Sequence, residues 1–266
     1  MNRDSSLLSS SSVAEFKRNS FDLESHLQNF LQLDQEILQA KLAIAKDSLA
    51  ALAHQDFSWT NPDYFYQEKV KENYLFELSA WHLSSQEYIG ETLRLIDDHG
   101  SGKVLDFGGG IGTHALAAAM NSGVEQVIYC DINPLHHEFV RFRAKQLNLD
   151  PNKLSFYTEI PEQLKFDTII CLDVIEHLPS PTVQLKKFYD WLNPGGKLII
   201  NWYFFKGFNQ EYPFHLDDPK IIESFFQTLQ KDFLEIFHPY HITVRCYRKN
   251  QSLPQEEQTR DRKSVV

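Results

Sequence analysis

Val104-Leu105-Asp106-Phe107-Gly108-Gly109-Gly110-Ile111-Gly112-Thr113-His114-Ala115 decides how the rest of the chain is read. The run opens as a short apolar strand, turns on glycine, and passes into a small-residue helix, Ala115-Leu116-Ala117-Ala118-Ala119-Met120. Glycine admits positive φ and clears the Cβ from a ligand's path. Gly108, Gly110 and Gly112, at alternate positions, therefore predict a turn that a ligand can approach closely. The helix beyond aims its free N–H groups and the positive end of its dipole at the same spot. A dinucleotide fingerprint, G-x-G-x-x-G, would require glycine at 113, and Thr113 stands there.

The 266 residues carry a formal charge of −10, which opposes general attraction to nucleic acid. At 42% hydrophobic and 13% aromatic, the chain can bury the core of one sizeable domain with a helical addition. No apolar run reaches the roughly 18 residues of a membrane span. The stretch Met1-Asn2-Arg3-Asp4-Ser5-Ser6 lacks the basic-then-apolar order of a signal peptide. Cys130, Cys171 and Cys246 are scattered, with no C-x-x-C spacing for zinc or redox chemistry, so a reducing cytoplasm is the expected setting.

Working outward, residues 1–20 are serine-rich and read as disordered. A helical region, 21–99, follows. In its first half Leu38, Leu42, Ala45, Leu49 and Leu52 recur at helical steps, with Asp22 or Ser25 as cap. The plain expectation is a helix laid on the main domain. A homodimer through these helices is the alternative, although the pattern falls short of three clean heptads. Phe57 to Tyr66 is an aromatic connector that either packs between domains or walls a pocket for an apolar substrate. A second helical run, Glu68 to about Asp98, carries Tyr74, Trp81, His82 and Tyr88 and ends at Gly100-Ser101-Gly102.

From residue 100 to 248 strands and helices alternate, as in a parallel sheet with crossover helices. Strands are expected near 103–107, 126–130, 154–158, 167–172 and 196–204, and helices near 113–122, 135–147, 182–192 and 219–230. Phe233–Phe237 and His241–Arg248 then pair as a hairpin, and residues 249–266 read as a disordered tail.

Preceded by Val104-Leu105-Asp106, the G-x-G-x-G turn resembles motif I of the class I S-adenosylmethionine-dependent methyltransferases. Asp173-Val174-Ile175-Glu176-His177-Leu178, followed by Leu192-Asn193-Pro194-Gly195-Gly196-Lys197-Leu198, resembles the motif pair of small-molecule members such as the quinone-biosynthesis enzymes. The resemblance implies a Rossmann-like α/β fold. Its sheet has seven mostly parallel strands and a C-terminal β-hairpin, here with an N-terminal helical extension, and the implied cofactor is S-adenosylmethionine.

In open α/β sheets the residues just past each strand meet the ligand. Past the second strand, Asp131 can accept both ribose hydroxyls or cap the helix that starts at Pro134, a task for which Asn133 is better placed. The resemblance implies the ribose role for Asp131, with Ile132 beside it, and an adenine contact for Glu159. It also sets Leu172 and Asp173 at the methionine end. Asp106 either helps hold the methionine ammonium or braces the glycine turn.

An acceptor hydroxyl or protonated amine needs a base, and His177 and His215 are the candidates. No metal is expected. The alternative is a metal site of Asp173, Glu176, His177 and His215, resembling the methyltransferases that act on the 3′ end of small RNAs, where the pattern wants Glu at the position of Asp173. His114 reads as a packing or capping residue. The function expected is methyl transfer to a small apolar or aromatic acceptor, on O, N or C. An RNA 3′-end 2′-O-methyltransferase and a non-catalytic cofactor-binding scaffold are the alternatives.

Overall fold

The computed structural model describes residues 12–237 and 243–250. β1 (Gly102–Phe107) is a short strand with Val104 and Leu105 buried, and it lies between two parallel neighbours. On one side are β2 (Val124–Cys130) and β3 (Leu154–Tyr157); on the other are β4 (Phe166–Cys171) and β5 (Leu192–Ile200). Antiparallel β7 (Arg245–Lys249) and β6 (Phe233–Ile236) complete a seven-stranded sheet of order β3-β2-β1-β4-β5-β7-β6. Strand order reverses between β1 and β4, which opens a crevice beyond their carboxyl ends.

Among the described residues six helical segments precede the sheet and four lie within it. Before the sheet come α1 (Ser12–Asn19), α2 (Leu23–Leu31), α3 (Gln35–Asp56), the short turn α4 (Pro62–Tyr64), α5 (Lys71–Ser84) and α6 (Gln86–His99). Within it lie α7 (Thr113–Met120), α8 (Pro134–Gln146), α9 (Pro181–Trp191) and α10 (Pro219–Asp232). The turn α4 runs on into a π-helical turn, Phe65–Lys69.

The amino-terminal reading needs correction. Ser12–Asn19 is a helix, because Phe16 gives it one residue with no exposed surface. Burying such a ring contributes roughly 1.5–3 kcal/mol. Residues 1–11 and 251–266, where disorder was expected, lie outside the described residues, as do 238–242 of the expected hairpin. The helix expected in the first half of the 21–99 region is two, because Gln32 takes φ +53° and ends the first. The second run likewise breaks at Ser85. β5 starts and ends four residues early, so Asn201 and the aromatics after it belong to a loop.

The boundary expected at residue 100 does not divide the packing. Phe16, Phe21, Ile89 and Leu93 share one core with Val104, Leu116 and Val127 of the sheet layer. α3 packs inward through Leu38 and Ala45 against Leu75 and Phe76 of α5, a helix of the same extension. Among the described residues no helix is long and apolar enough to cross a membrane.

Candidate active site

The glycine turn is held from below. Gly108 and Gly109 donate to the Cys130 carbonyl at the end of β2, and Tyr129 Oη donates to the Gly110 carbonyl at 2.6 Å. Gly108 has φ +70°, and a Cβ there would lie 2.5 Å from Val174, so no side chain fits between the turn and the β4 loop. Gly112, at φ +78°, plays a different part. A Cβ on it would strike Val140 of α8, so it permits helix packing and starts α7 rather than facing a ligand.

Past the turn is a cavity of about 580 Å³. Gly108, Gly110, Asp131, Ile132, Glu159 and Leu172 line it, and so do Asp173 and His177, while Asp106, Gly112 and His215 do not. Asp106 sits beneath the turn, 2% exposed, and accepts from the Ala115 N–H. Burial, with the Asp131 charge second, pushes its carboxyl up to about 7. Of its two expected roles, bracing is the one its position matches.

Asp131 is braced on both oxygens. Gly110 N–H donates to Oδ2 and Asn133 N–H to Oδ1, each at 2.8 Å, and His136 Nδ1 stands 3.3 Å from Oδ1. Burial pushes the carboxyl upward, but His136 and these two backbone donors outweigh it and hold the pKa below the usual value. It is therefore a fixed carboxylate facing the cavity. The cap of α8 is Asn133, whose Oδ1 accepts from Leu135 and His136. Its Nδ2 donates to the Tyr66 carbonyl at 3.0 Å, tying the Asp131 side of the cavity to the aromatic connector.

Asp173 adopts φ +54°, a left-handed conformation that costs about 1–3 kcal/mol in a residue with a side chain. Asn201 holds it there, accepting from Asp173 N–H and donating to Oδ1, both at 2.6 Å. Tyr88 Oη donates to the same carboxylate at 3.2 Å. Burial raises the Asp173 carboxyl. It also takes Glu77 up to about 7 and Glu176 up to about 8, each with the Asp173 charge as second cause. Of these three carboxyl groups, Asp173 lines the cavity and Glu77 and Glu176 do not.

Glu176 and His177 lie on a single 3-10 turn, Ile175–His177. His177 Nδ1 is 3.0 Å from Tyr66 Oη. Burial, then the neighbouring His215, lowers the His177 pKa well below 6.5, so the ring is neutral. His215 stands behind it, ring centroids 4.8 Å apart, stacked on Tyr212 and with Nδ1 3.0 Å from the Phe205 carbonyl. Burial takes it down to about 4. One ligand atom each of Glu176, His177 and His215 lies within 4.8 Å of the others. Asp173, the fourth member of the alternative metal site, is turned instead to Asn201 and Tyr88.

The amino-terminal helices supply the opposite wall through Tyr66, Tyr74, Leu78, Trp81 and His82. Periodicity marked these residues only as helix faces, apart from the aromatic connector that ends at Tyr66. Asn201 and Tyr88 carried no signal, because each acts through a partner far along the chain. His114, read as a packing residue, does line the cavity.

A family model described as a methyltransferase domain matches residues 80–231. The chain is 28% identical over 208 residues to the ubiquinone biosynthesis O-methyltransferase of Coxiella burnetii, an alignment spanning 75% of this chain and 79% of that protein. It is 30% identical over 125 residues to methyltransferase str2 of Strobilurus tenacellus, spanning 47% and 44%. Among solved structures, the N-methyltransferase NodS of Bradyrhizobium japonicum WM9, crystallised with S-adenosyl-L-homocysteine, aligns with a TM-score of 0.49 at 15% identity, over 65% of this chain and 92% of that one. With its sheet order, glycine turn and family match together, the chain belongs to the S-adenosylmethionine-dependent methyltransferases of class I architecture.

Proposed function

We propose that the protein methylates a hydroxyl of a small aromatic acceptor, with S-adenosylmethionine as donor. The observation that carries this is the two-sided cavity. One wall is the glycine turn with the fixed carboxylate of Asp131, and the other is aromatic, through Tyr66, Tyr74 and Trp81. The first wall fits the cofactor: a turn that no Cβ can fill, and an acceptor aimed into open space. The second fits a flat apolar molecule. The O-methyltransferase named for ubiquinone biosynthesis in Coxiella burnetii supports an oxygen acceptor.

S-adenosylmethionine supplies an electrophilic methyl on a positive sulfonium. The chain's part is to hold and align. Asp131 accepts from ribose hydroxyls, with Ile132 beside it. Glu159, exposed at the rim, faces the base edge. Gly108, Gly110, Leu172 and Asp173 surround the amino-acid end. His177, neutral and on the wall, takes the acceptor's proton, and His215 orients it from behind. Three buried free cysteines fit a reducing cytoplasm as the setting.

A second reading has its own observation, the convergence of Glu176, His177 and His215. Neutral imidazoles and a buried carboxyl whose Oε2 has no partner are suitable donors for a divalent ion. One assay separates the two. With labelled S-adenosylmethionine and a panel of phenols and catechols, activity retained in EDTA supports His177 as base. Activity lost in EDTA and restored by a divalent ion replaces that role with a metal. Label appearing on no hydroxyl-bearing acceptor, but on amines, sinks the oxygen acceptor.

A further inference from the structure

Arg143, on α8, has no exposed surface. Its Nη1 donates to the Ile111 carbonyl at 2.7 Å and to the Thr113 hydroxyl at 3.2 Å. Nε and Nη2 have no hydrogen-bond partner. The opposing charge it feels is that of Asp22, exposed at the turn before α2. A buried cation without a close counter-ion costs several kcal/mol. The fold therefore holds positive potential directly behind the start of α7, opposed among the described residues by the exposed Asp22.

Thr113 carries that potential forward as geometry. Its hydroxyl oxygen receives from Arg143, because guanidinium can only donate. Its hydrogen is then available to His82 Nδ1, 3.0 Å away. A neutral imidazole that accepts at Nδ1 carries its proton on Nε2. His82 lines the cavity beside Trp81, and its ordering hydrogen bond is through Nδ1 alone. So the ring presents an N–H donor that the protein leaves unused.

The neighbouring ring has the opposite polarity. Thr92 gives its hydrogen to the Ile89 carbonyl at 2.7 Å, so it can only accept from His114 Nε2, at 2.9 Å. His114 thus keeps a bare Nδ1, and of the two rings, 5.8 Å apart, His82 alone is set to meet an anion. Asp131 assigns the nucleoside to the β2 end of the glycine turn. The amino-acid end then reaches the stretch of wall beyond Gly110, where Trp81 and His82 stand. Among the described residues no arginine or lysine lines that stretch; Lys187, which lines the cavity elsewhere, belongs to α9.

We infer that His82 Nε2–H is the binding donor for the cofactor's amino-acid carboxylate, and that Thr113 and Arg143 are positioning residues that set its tautomer and hold positive potential behind it. The inference deepens the S-adenosylmethionine reading above and rests on it.

The test is calorimetric titration with two ligands. S-adenosylhomocysteine has the carboxylate; 5′-methylthioadenosine keeps the nucleoside and thioether without the amino acid. Thr113→Val, similar in shape, removes the hydroxyl link. It should weaken S-adenosylhomocysteine about tenfold or more and leave 5′-methylthioadenosine within about twofold. His82→Leu should do the same. His82→Gln, with a donor at the corresponding position, should recover most of the loss. Equal weakening of both ligands by Thr113→Val overturns the inference, as does unchanged S-adenosylhomocysteine affinity in His82→Leu. A wild-type protein that binds neither ligand overturns the cofactor reading itself, a result distinct from any loss confined to the variants.

Discussion

The proposed nucleoside end of the cavity and the proposed acceptor end differ in how far apart along the chain their parts lie. Asp131 is fixed by Gly110, 21 positions away, and by Asn133, 2 away. At the acceptor end Tyr66 meets His177 across 111 positions, and behind Asp173 Asn201 meets Tyr88 across 113. The first end is built by backbone: a turn, a helix start, a strand terminus. The second is built by side chains from the amino-terminal helices and the loop after β5. Backbone sites are set by local conformational rules. Side-chain sites depend on packing that brings remote segments together. Substitutions at the two ends should therefore separate binding from turnover.

The largest effect is expected at the acceptor end. His177→Gln should lower turnover by about 10²- to 10⁴-fold and leave S-adenosylhomocysteine affinity near wild type. Single-turnover rates and calorimetry read the two quantities separately. A parallel loss of affinity would mean that His177 belongs to the nucleoside wall and that the division is wrong.

Next comes the opposite end. Asp131→Ala should weaken S-adenosylhomocysteine by roughly 2–3 kcal/mol, the worth of charge-assisted hydrogen bonds to hydroxyls. The acceptor's KM at saturating cofactor should hardly move. Affinity that survives the substitution would leave Asp131 as a brace for Gly110 and nothing more.

A smaller effect concerns the brace beneath the turn, in the free protein. Asp106 titrates at about 7, raised from 3.8 mainly by burial. A carboxyl raised in this way supports the fold fully below about pH 4 and withdraws that support as pH rises through 7. Asp106→Asn keeps an acceptor for the Ala115 N–H and removes the titration. Between pH 5 and pH 8 it should lose less stability than wild type, by roughly 1–4 kcal/mol. Urea unfolding at both pH values checks this. Parallel pH slopes would show that Asp106 keeps an ordinary pKa.

The contrast between the ends also explains what could be read from residues alone. The strand–glycine–helix order at 104–115, the carboxylate at 131 and the cap at 133 are all local, and each stands where it was expected. Asp106 and Gly112 stand on the turn, as expected, but neither lines the cavity: Asp106 has the bracing position, one of its two expected roles, and Gly112 faces α8, because spacing does not tell which way an alternate position looks. His215 was expected on the wall and lies one ring behind it. Its position depends on how the 202–216 loop folds back, and aromatic density in that loop carries no direction. His82 was visible only as a member of a helical stripe. Its significance comes from Thr113 and Arg143, which meet it only in the packed structure.

The smallest effect is expected at the residue that joins the two ends. Asn133 caps α8 with its Oδ1 and holds the Tyr66 carbonyl with its Nδ2. Removing the cap costs about 1 kcal/mol, and the buried Tyr66 carbonyl left without its donor adds a similar amount. Asn133→Ala should thus lower stability by roughly 1–2 kcal/mol. Asp131 keeps its backbone donors from Gly110 and position 133, so S-adenosylhomocysteine affinity should stay near wild type. Tyr66, however, loses the bond that fixes its main chain beside His177, so acceptor KM should rise a few-fold while the cofactor end is silent. Asn133→Asp separates the two bonds: a carboxylate keeps the cap and loses the donor to Tyr66. If Asn133→Asp restores stability but not KM, Asn133 is the tie between the ends. If it restores both, the ends are coupled through the helix cap instead, and the connector's position owes nothing to this bond.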